Sequence, residues 1–200
     1  SGNIFAFSEY AKILPEDGFL IANVQNKNLF NDVKCNIYTF GLNDDADYYP
    51  SEIKYFPTPS YILMNKGKKI ADISLQVYGE HNILNSIAVT ISCIMLNIDI
   101  ETIKKGLYNF KGTHRRYEYK GTYNGAVLID DYAHHPTEMK ATLNTAKTYS
   151  KGKIITVFQP HTYTRTMSLL QDFANALKQS DITILLDIYA AREKDTGIIH

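Results

Sequence analysis

Three short apolar runs limit what the second half of this chain can fold into: Ala126-Val127-Leu128-Ile129-Asp130, Ile154-Ile155-Thr156-Val157-Phe158 and Ile182-Thr183-Ile184-Leu185-Leu186-Asp187. Each is apolar throughout instead of alternating, which is the pattern of a strand covered on both faces. Helical segments separate them, at residues 136–149 and 168–179, with Pro136 in a position that suits a first helical turn. The order β-α-β-α-β predicts a parallel sheet with right-handed crossovers.

The first half has a different texture. Residues 4–14 read as the end of a helix, closed by the turn cluster Pro15-Glu16-Asp17-Gly18. Phe19-Leu20-Ile21-Ala22-Asn23-Val24 and Asn36-Ile37-Tyr38-Thr39-Phe40 read as strands. Tyr61-Ile62-Leu63-Met64 and Ile70-Ala71-Asp72-Ile73 flank Asn65-Lys66-Gly67-Lys68, which predicts an antiparallel hairpin. Apolar side chains recur at helical spacing over residues 81–97. A second helix is expected over 100–108 with Asp99 as its N-cap. Phe110-Lys111-Gly112-Thr113 ends it, and a domain boundary is expected there, dividing residues 1–112 from 113–200.

Composition excludes several functions. The chain carries 21 basic and 21 acidic residues, so its net charge is zero. That argues against binding nucleic acid through a broad basic surface and against a polybasic membrane anchor. No run of about 18 apolar residues exists to cross a membrane. Ser1-Gly2-Asn3 does not open a signal peptide, and the missing initiator Met suggests a processed tag or a piece of a longer chain. Cys35 and Cys93 are the only thiols. One disulfide stays open, but two isolated thiols fit a reducing cytoplasm, and the lack of a Cys-x-x-Cys pair excludes a zinc ribbon. Only four of the basic residues are Arg: Arg115, Arg116, Arg165 and Arg192. A chain that otherwise uses Lys is expected to place Arg where a planar, two-pronged donor is needed.

Ligands of open parallel sheets bind outside the carboxyl ends of the strands, and here those ends carry the chemistry. The first gives Asp130-Asp131-Tyr132-Ala133-His134-His135-Pro136, the second Gln159-Pro160-His161-Thr162-Tyr163-Thr164-Arg165, the third Asp187-Ile188-Tyr189. Helix N-termini after the first two add free N–H groups for an anion. Simpler roles compete: Asp130 as a helix cap, His135 as packing for a turn. Asp131, His134 and His161 are also chemically able to bind zinc or manganese. A second concentration is Gly79-Glu80-His81-Asn82-Ile83-Leu84-Asn85. Asn82 and Asn85 share a helix face, where two amides can read a nucleobase edge, although plain N-capping explains one of them. The third is Gly112-Thr113-His114-Arg115-Arg116-Tyr117, whose Arg pair is either a phosphate clamp or a solvated pair.

Together these three segments resemble the Mur ligase family, the ATP-dependent amide ligases of peptidoglycan synthesis. Gly79-x-His81-Asn82-x-x-Asn85 is similar to the family's adenine-side motif, and Arg115-Arg116 followed by an aromatic resembles the end of its central domain. Asp130-Asp131-Tyr132-Ala133-His134-His135-Pro136-Thr137-Glu138 resembles the opening of its C-terminal domain. Phe158-Gln159-Pro160-His161-x-Tyr163-x-Arg165-Thr166 is most similar to the members that add L-alanine to UDP-N-acetylmuramate; sister ligases share the Asp-Tyr-Ala-His stem but, as a rule, not this loop. The resemblance covers nearly everything from Ile13 onward.

The resemblance implies an α/β chain. It would hold the end of a central ATPase domain, with parallel strands plus a small antiparallel sheet, followed by the first β-α-β-α-β part of a Rossmann-like C-terminal domain. It implies ATP and Mg2+ as cofactors, UDP-N-acetylmuramate and L-alanine as substrates, and a cytoplasmic enzyme. His81, Asn82, Asn85 and Arg116 would bind ATP, Asp131 and His134 would be catalytic, and Tyr132, His161 and Arg165 would surround the amino acid. The family's Gly-rich loop ending in Gly-Lys-Ser/Thr is missing, as are its upstream Glu and His associated with magnesium and its UDP-binding domain. The family also runs past His200, so the chain reads as an internal fragment that is inactive alone, with its metal ligands mainly elsewhere. A sister ligase for another amino acid or peptide, a non-catalytic binding module and a metal hydrolase remain the alternatives.

Overall fold

Isoleucines spaced four apart give the first half of the chain its core. The structure is a computed structural model that describes residues 2–195, 197 and 199, without the side chains of residues 2–4. Its contacts divide the chain into two compact units, Ser1–Lys111 and Gly112–His200. In the first, helix α1 (Gly2–Ala11) precedes β1 (Phe19–Asn23), a 3-10 turn over Val24–Phe30, and β2 (Asn36–Phe40). β1 and β2 pair in parallel along their whole length, from Phe19↔Asn36 to Asn23↔Phe40. β3 (Tyr48–Lys54), β4 (Ser60–Asn65) and β5 (Lys68–Ser74) then form an antiparallel meander, so the sheet has the order β1-β2-β3-β4-β5. Lys66 and Gly67, at φ 46° and 81°, make the tight turn of the expected hairpin.

β3 escapes the sequence pattern because Pro50 interrupts it and Glu52, at φ 50°, sits in a register shift against β4. Its junction with β2 is a single parallel pair, Phe40↔Tyr48. A reciprocal tie supplements that pair. One Asp47 carboxylate oxygen accepts the Thr39 N–H at 2.9 Å and the Thr39 hydroxyl at 2.8 Å, while the Asp47 N–H donates to the Thr39 hydroxyl oxygen at 2.9 Å.

Helix α2 (Glu80–Met95) lays Ile83, Ile87 and Ile91, each 0% exposed, on Tyr48, Tyr61, Leu63, Ile73 and Leu75 of the first unit. The Ser86 hydroxyl donates to the Ile83 carbonyl, so the Tyr61 hydroxyl donates to Ser86 Oγ, at 2.7 Å. Burial pushes the Tyr61 hydroxyl well above its ordinary pKa. Helix α3 (Ile100–Asn109) begins as expected at Asp99, whose carboxylate accepts the Thr102 N–H at 3.0 Å.

The second unit corrects several expectations. A strand absent from the sequence reading, β6 (Glu118–Tyr123), pairs antiparallel with β7 (Ala126–Asp130). Asn124 and Gly125, at φ 48° and 83°, close this hairpin, and Asn-Gly is the strongest short-range hairpin signal. β7 therefore takes its partner from the preceding residues. Among the described residues of this unit, the parallel ladder is β8 (Ile155–Phe158) with β9 (Ile182–Leu185), paired from Ile155↔Ile182 to Phe158↔Leu185. Helix α4 (Pro136–Tyr149) joins β7 to β8. The helix expected over 168–179 is α6 (Leu170–Leu177), and a short helix absent from the sequence reading, α5 (Tyr163–Ser168), precedes it across Leu169.

The strands are also not covered on both faces. Met139 of α4 and Phe173 and Ala176 of α6 pack on Phe158. On the opposite face Ile155 and Val157 remain 57% and 61% exposed, and Ile182 and Ile184 44% and 46%. Among the described residues no helix is long and apolar enough to cross a membrane. Cys35, buried, and Cys93, half-buried, carry free thiols.

Ile87→Ala is expected to destabilise the first unit by about 2–5 kcal/mol, through lost transfer energy and a residual cavity. Val89→Ala, on the exposed side of the same helix, is expected to stay within about 0.5 kcal/mol of the parent. Urea titrations of both variants check this.

Candidate functional site

The carboxyl ends of β7, β8 and β9 carry a run of stacked side chains. The Arg115 guanidinium lies 4.6 Å from the centre of the Tyr132 ring. Tyr132 meets His134 edge-on with ring centres 5.1 Å apart, His134 lies 6.3 Å from His161, and His161 lies 5.4 Å from Tyr189. Backbone pairing sets the last step, because the β8–β9 ladder is followed by an isolated parallel bridge between His161 and Tyr189. The Thr162 N–H donates to the Tyr189 carbonyl at 2.9 Å, and the Tyr189 N–H to the Pro160 carbonyl at 2.8 Å. Thr162, at φ 69°, turns the chain from this bridge into α5.

His161 and Arg165 stand four residues apart on this turn, and each presents an unsatisfied atom. His161 Nδ1 and one terminal guanidinium nitrogen of Arg165 are buried without a hydrogen-bond partner among the described residues. A buried polar atom left unpaired costs about 1–3 kcal/mol, so each of the two leaves room for a ligand group that completes it, an acceptor in the case of the guanidinium. Glu193, which the sequence reading passes over, holds the same turn. It accepts the Thr164 N–H at 2.9 Å and also the Thr164 hydroxyl, and these bonds keep its carboxyl below the ordinary range.

The loop after β7 is equally fixed. His134 Nδ1 stands 2.9 Å from the Tyr132 carbonyl, which can only accept, so Nδ1 carries a proton and the neutral ring keeps its lone pair on Nε2. The His134 N–H donates to Glu138 at 3.0 Å. Burial pushes the Glu138 carboxyl up, but the His134 N–H, the His134 ring, the His135 N–H and the Arg116 charge outweigh it, and the carboxyl lies below its ordinary range. The sequence reading carries Glu138 as the last residue of its Asp130–Glu138 motif but gives it no role, although an acid three residues after a helix cap is a known signal. His135 is that cap: its Nδ1 accepts the Thr137 N–H at 3.3 Å, which is the turn-packing role.

Asp131 accepts three hydrogen bonds. Oδ1 takes the Ala133 N–H at 2.7 Å, and Oδ2 takes the Tyr117 N–H at 2.9 Å and the Thr142 hydroxyl at 3.1 Å. The chain it binds is strained, since Arg115 and Tyr117 have φ of 58° and 49°. Left-handed backbone at non-glycine residues costs about 1–3 kcal/mol each unless the surroundings over-determine it. Here the Tyr132 N–H donates to the Arg115 carbonyl at 2.7 Å and the Arg115 N–H to Glu118 at 2.8 Å. Asp130 is not a cap; its carboxylate lies 3.9 Å from Arg115 Nε. Arg116, between the two strained residues, is exposed. Among the described residues no three His, Cys, Asp or Glu side chains gather to hold a metal ion, so Asp131, His134 and His161 do not form one ligand set.

In the first unit, Gly79 at φ 97° starts α2 in a conformation that favours glycine. No side chain caps that helix; instead the Asn82 amide donates to the Tyr78 carbonyl at 2.7 Å. Asn85 follows one turn later, exposed, and His81 is exposed in the first turn. The three residues thus share the opening turns of one helix.

Fold and motifs agree with comparisons to known proteins. Residues 4–93 match the Mur ligase middle domain, and residues 115–198 match the Mur ligase, glutamate ligase domain. The chain belongs to the Mur ligase family. It is 44% identical over 196 residues to a UDP-N-acetylmuramate–L-alanine ligase of Clostridium novyi, covering 96% of this chain and 43% of that protein. It is 46% identical over 199 residues to the protein of the same name from Clostridium tetani, covering 97% and 43%. The crystal structure of a UDP-N-acetylmuramate–alanine ligase from Thermotoga maritima superposes with a TM-score of 0.70 at 27% identity, over 86% of this chain and 38% of that one. A folylpolyglutamate synthase of Thermotoga maritima shares the fold, with a TM-score of 0.68 at 20% identity, over 95% of this chain and 45% of that one. The chain spans less than half the length of these relatives.

Glu118 supplies a pH test of the strained turn. The Arg115 N–H, and after it Lys120 and His114, pull its carboxyl from an ordinary 4.5 to about 2. A depressed folded pKa means that the stabilisation is complete above the unfolded value and is lost as pH falls towards the folded one. The Glu118 carboxyl resonance should titrate near 2, and the Arg115 amide should lose exchange protection between pH 4.5 and about 2. In Glu118→Gln that pH dependence should vanish.

Proposed function

We propose that this chain is part of an ATP-dependent amide ligase that joins L-alanine to UDP-N-acetylmuramate through an acyl phosphate, in peptidoglycan synthesis in the cytoplasm. The observation that carries the reading is the pair of buried, unpartnered nitrogens on His161 and Arg165. His161 belongs to the run of ring contacts Tyr132–His134–His161–Tyr189 and Arg165 follows it by four residues, so a small amino acid can lodge its carboxylate there. L-alanine offers little else to grip, and a guanidinium fork suits a carboxylate. The names of the relatives and the free thiols, which fit a reducing compartment, support the assignment.

In this reading residues 1–112 end the central ATP-binding domain and residues 113–200 begin the amino-acid-binding domain. A carboxylate is a poor electrophile, so the lactyl carboxylate first takes a phosphoryl group from ATP. The alanine amine then attacks the acyl carbon and inorganic phosphate leaves. Arg165 and His161 orient the amino acid, with Tyr132 as a wall. His134 Nε2, with its lone pair available, accepts the proton that the ammonium must lose to become a nucleophile. Asn82 and Asn85, with His81 adjacent, face adenine, and Arg116 meets a nucleotide phosphate. Mg2+ accompanies the ATP; no cluster of described residues gathers to bind it. Asp131 fixes the loop that carries Tyr132 and His134, its two oxygens serving three donors.

The reading frame that carries this chain is the protein to assay, by phosphate release with ATP, UDP-N-acetylmuramate and an amino acid. Arg165→Ala should raise the KM for L-alanine about 10- to 100-fold, the worth of a charge-assisted hydrogen bond, with little change in the KM for ATP. Arg116→Ala should do the reverse. Equal effects on ATP would overturn this division of roles. Faster turnover with another amino acid would make the protein a sister ligase.

A further inference from the structure

We infer that Asp131 is a positioning residue for Arg116, acting through the Tyr117 backbone. All of the residues involved belong to the second unit. Arg116 sits between two residues in the left-handed region, Arg115 and Tyr117, a conformation that non-glycine residues hold only when neighbours enforce it. The Arg115 side is enforced by the Tyr132 N–H on its carbonyl, by Glu118 on its N–H, and by its own guanidinium over Tyr132. On the Tyr117 side, the N–H goes to Asp131 Oδ2 at 2.9 Å.

That oxygen is itself held. Thr142 of α4 donates to it at 3.1 Å, and the Ala133 N–H fixes the other oxygen at 2.7 Å. Asp131 thus ties three pieces of chain together: the strained turn, the end of β7 and the flank of α4. With both flanks fixed, the backbone of Arg116 has one orientation. Its charge then reaches Glu138 in the first turn of α4, whose carboxyl it helps to keep ionised. Removing the Asp131 bond frees Tyr117 to relax to negative φ, which swings Arg116 away from the strand ends.

The expected effect on ATP rests on the proposal that Arg116 meets a nucleotide phosphate; the positioning itself does not. Asp131→Asn keeps one acceptor oxygen and turns an amide against one of the N–H donors. In the protein used for the assays above, it should speed hydrogen exchange at the Tyr117 amide about tenfold or more, the equivalent of one charge-assisted hydrogen bond. Amides within β8 and the middle of α4 should keep their rates. The KM for ATP should rise as far as in Arg116→Ala, and the double variant should be no worse than Arg116→Ala alone. Thr142→Val, which removes only the hydroxyl that steadies Oδ2, should shift Tyr117 exchange in the same direction by a smaller factor and serves if Asp131→Asn fails to fold. An unchanged Tyr117 exchange rate in both variants overturns the inference. So does full additivity with Arg116→Ala, which would place Asp131 on the phosphate or its metal directly. If Arg116→Ala leaves the KM for ATP unchanged, the nucleotide reading fails, and Tyr117 exchange alone decides the role of Asp131.

Discussion

Backbone N–H groups stranded where a chain changes direction must find acceptors, and in this protein side-chain carboxylates supply many of them. Asp47 meets Thr39 where β2 passes to β3, Asp99 opens α3, and Asp181 takes the Ile154 N–H at the entry to β8. Glu118, Asp131, Glu138 and Glu193 do the same around the strand ends of the second unit. The apolar contacts of α2 and of Phe158 with Phe173 hold the layers, but these bonds decide where each loop goes.

This use of acids shapes the candidate site. The carboxylates near the strand ends are largely occupied by the protein's own backbone, so the groups left to face a ligand are imidazoles, phenols and guanidinium groups. Such a surface is rich in donors, which suits an amino-acid carboxylate and a nucleotide phosphate. Acceptors are provided sparingly, by His134 Nε2 among the rings.

Much of the fold was legible in the sequence because its signals were local. The hairpin at Lys66-Gly67, the cap at Asp99 and the helix from Pro136 each depend on a few adjacent residues. β3 was hidden by Pro50 and a bulge, and α5 because its six residues, Tyr163 to Ser168, are too few and too polar to show an apolar period. β6 was overlooked despite Asn124-Gly125, since its own residues, Glu118 to Tyr123, are mostly polar. At the site, the sequence named Tyr132, His134, His161 and Arg165, which the fold gathers along the strand ends. It had no means of showing that Asp131 bonds to Tyr117, fourteen residues away, or that Glu193 holds Thr164, twenty-nine away. Those pairings exist only once the backbone has turned.

The bare face of β8 and β9 has a consequence for how copies of this chain behave together. Its aliphatic side chains are β-branched and fixed in a flat row, so they cannot fold back on themselves to escape water. The chain has no net charge, and its isoelectric point is about 7.0. Near neutral pH there is thus no long-range repulsion to keep two such rows apart. The pH at which this polypeptide carries least net charge is thus one at which its carboxylate-held turns are fully ionised.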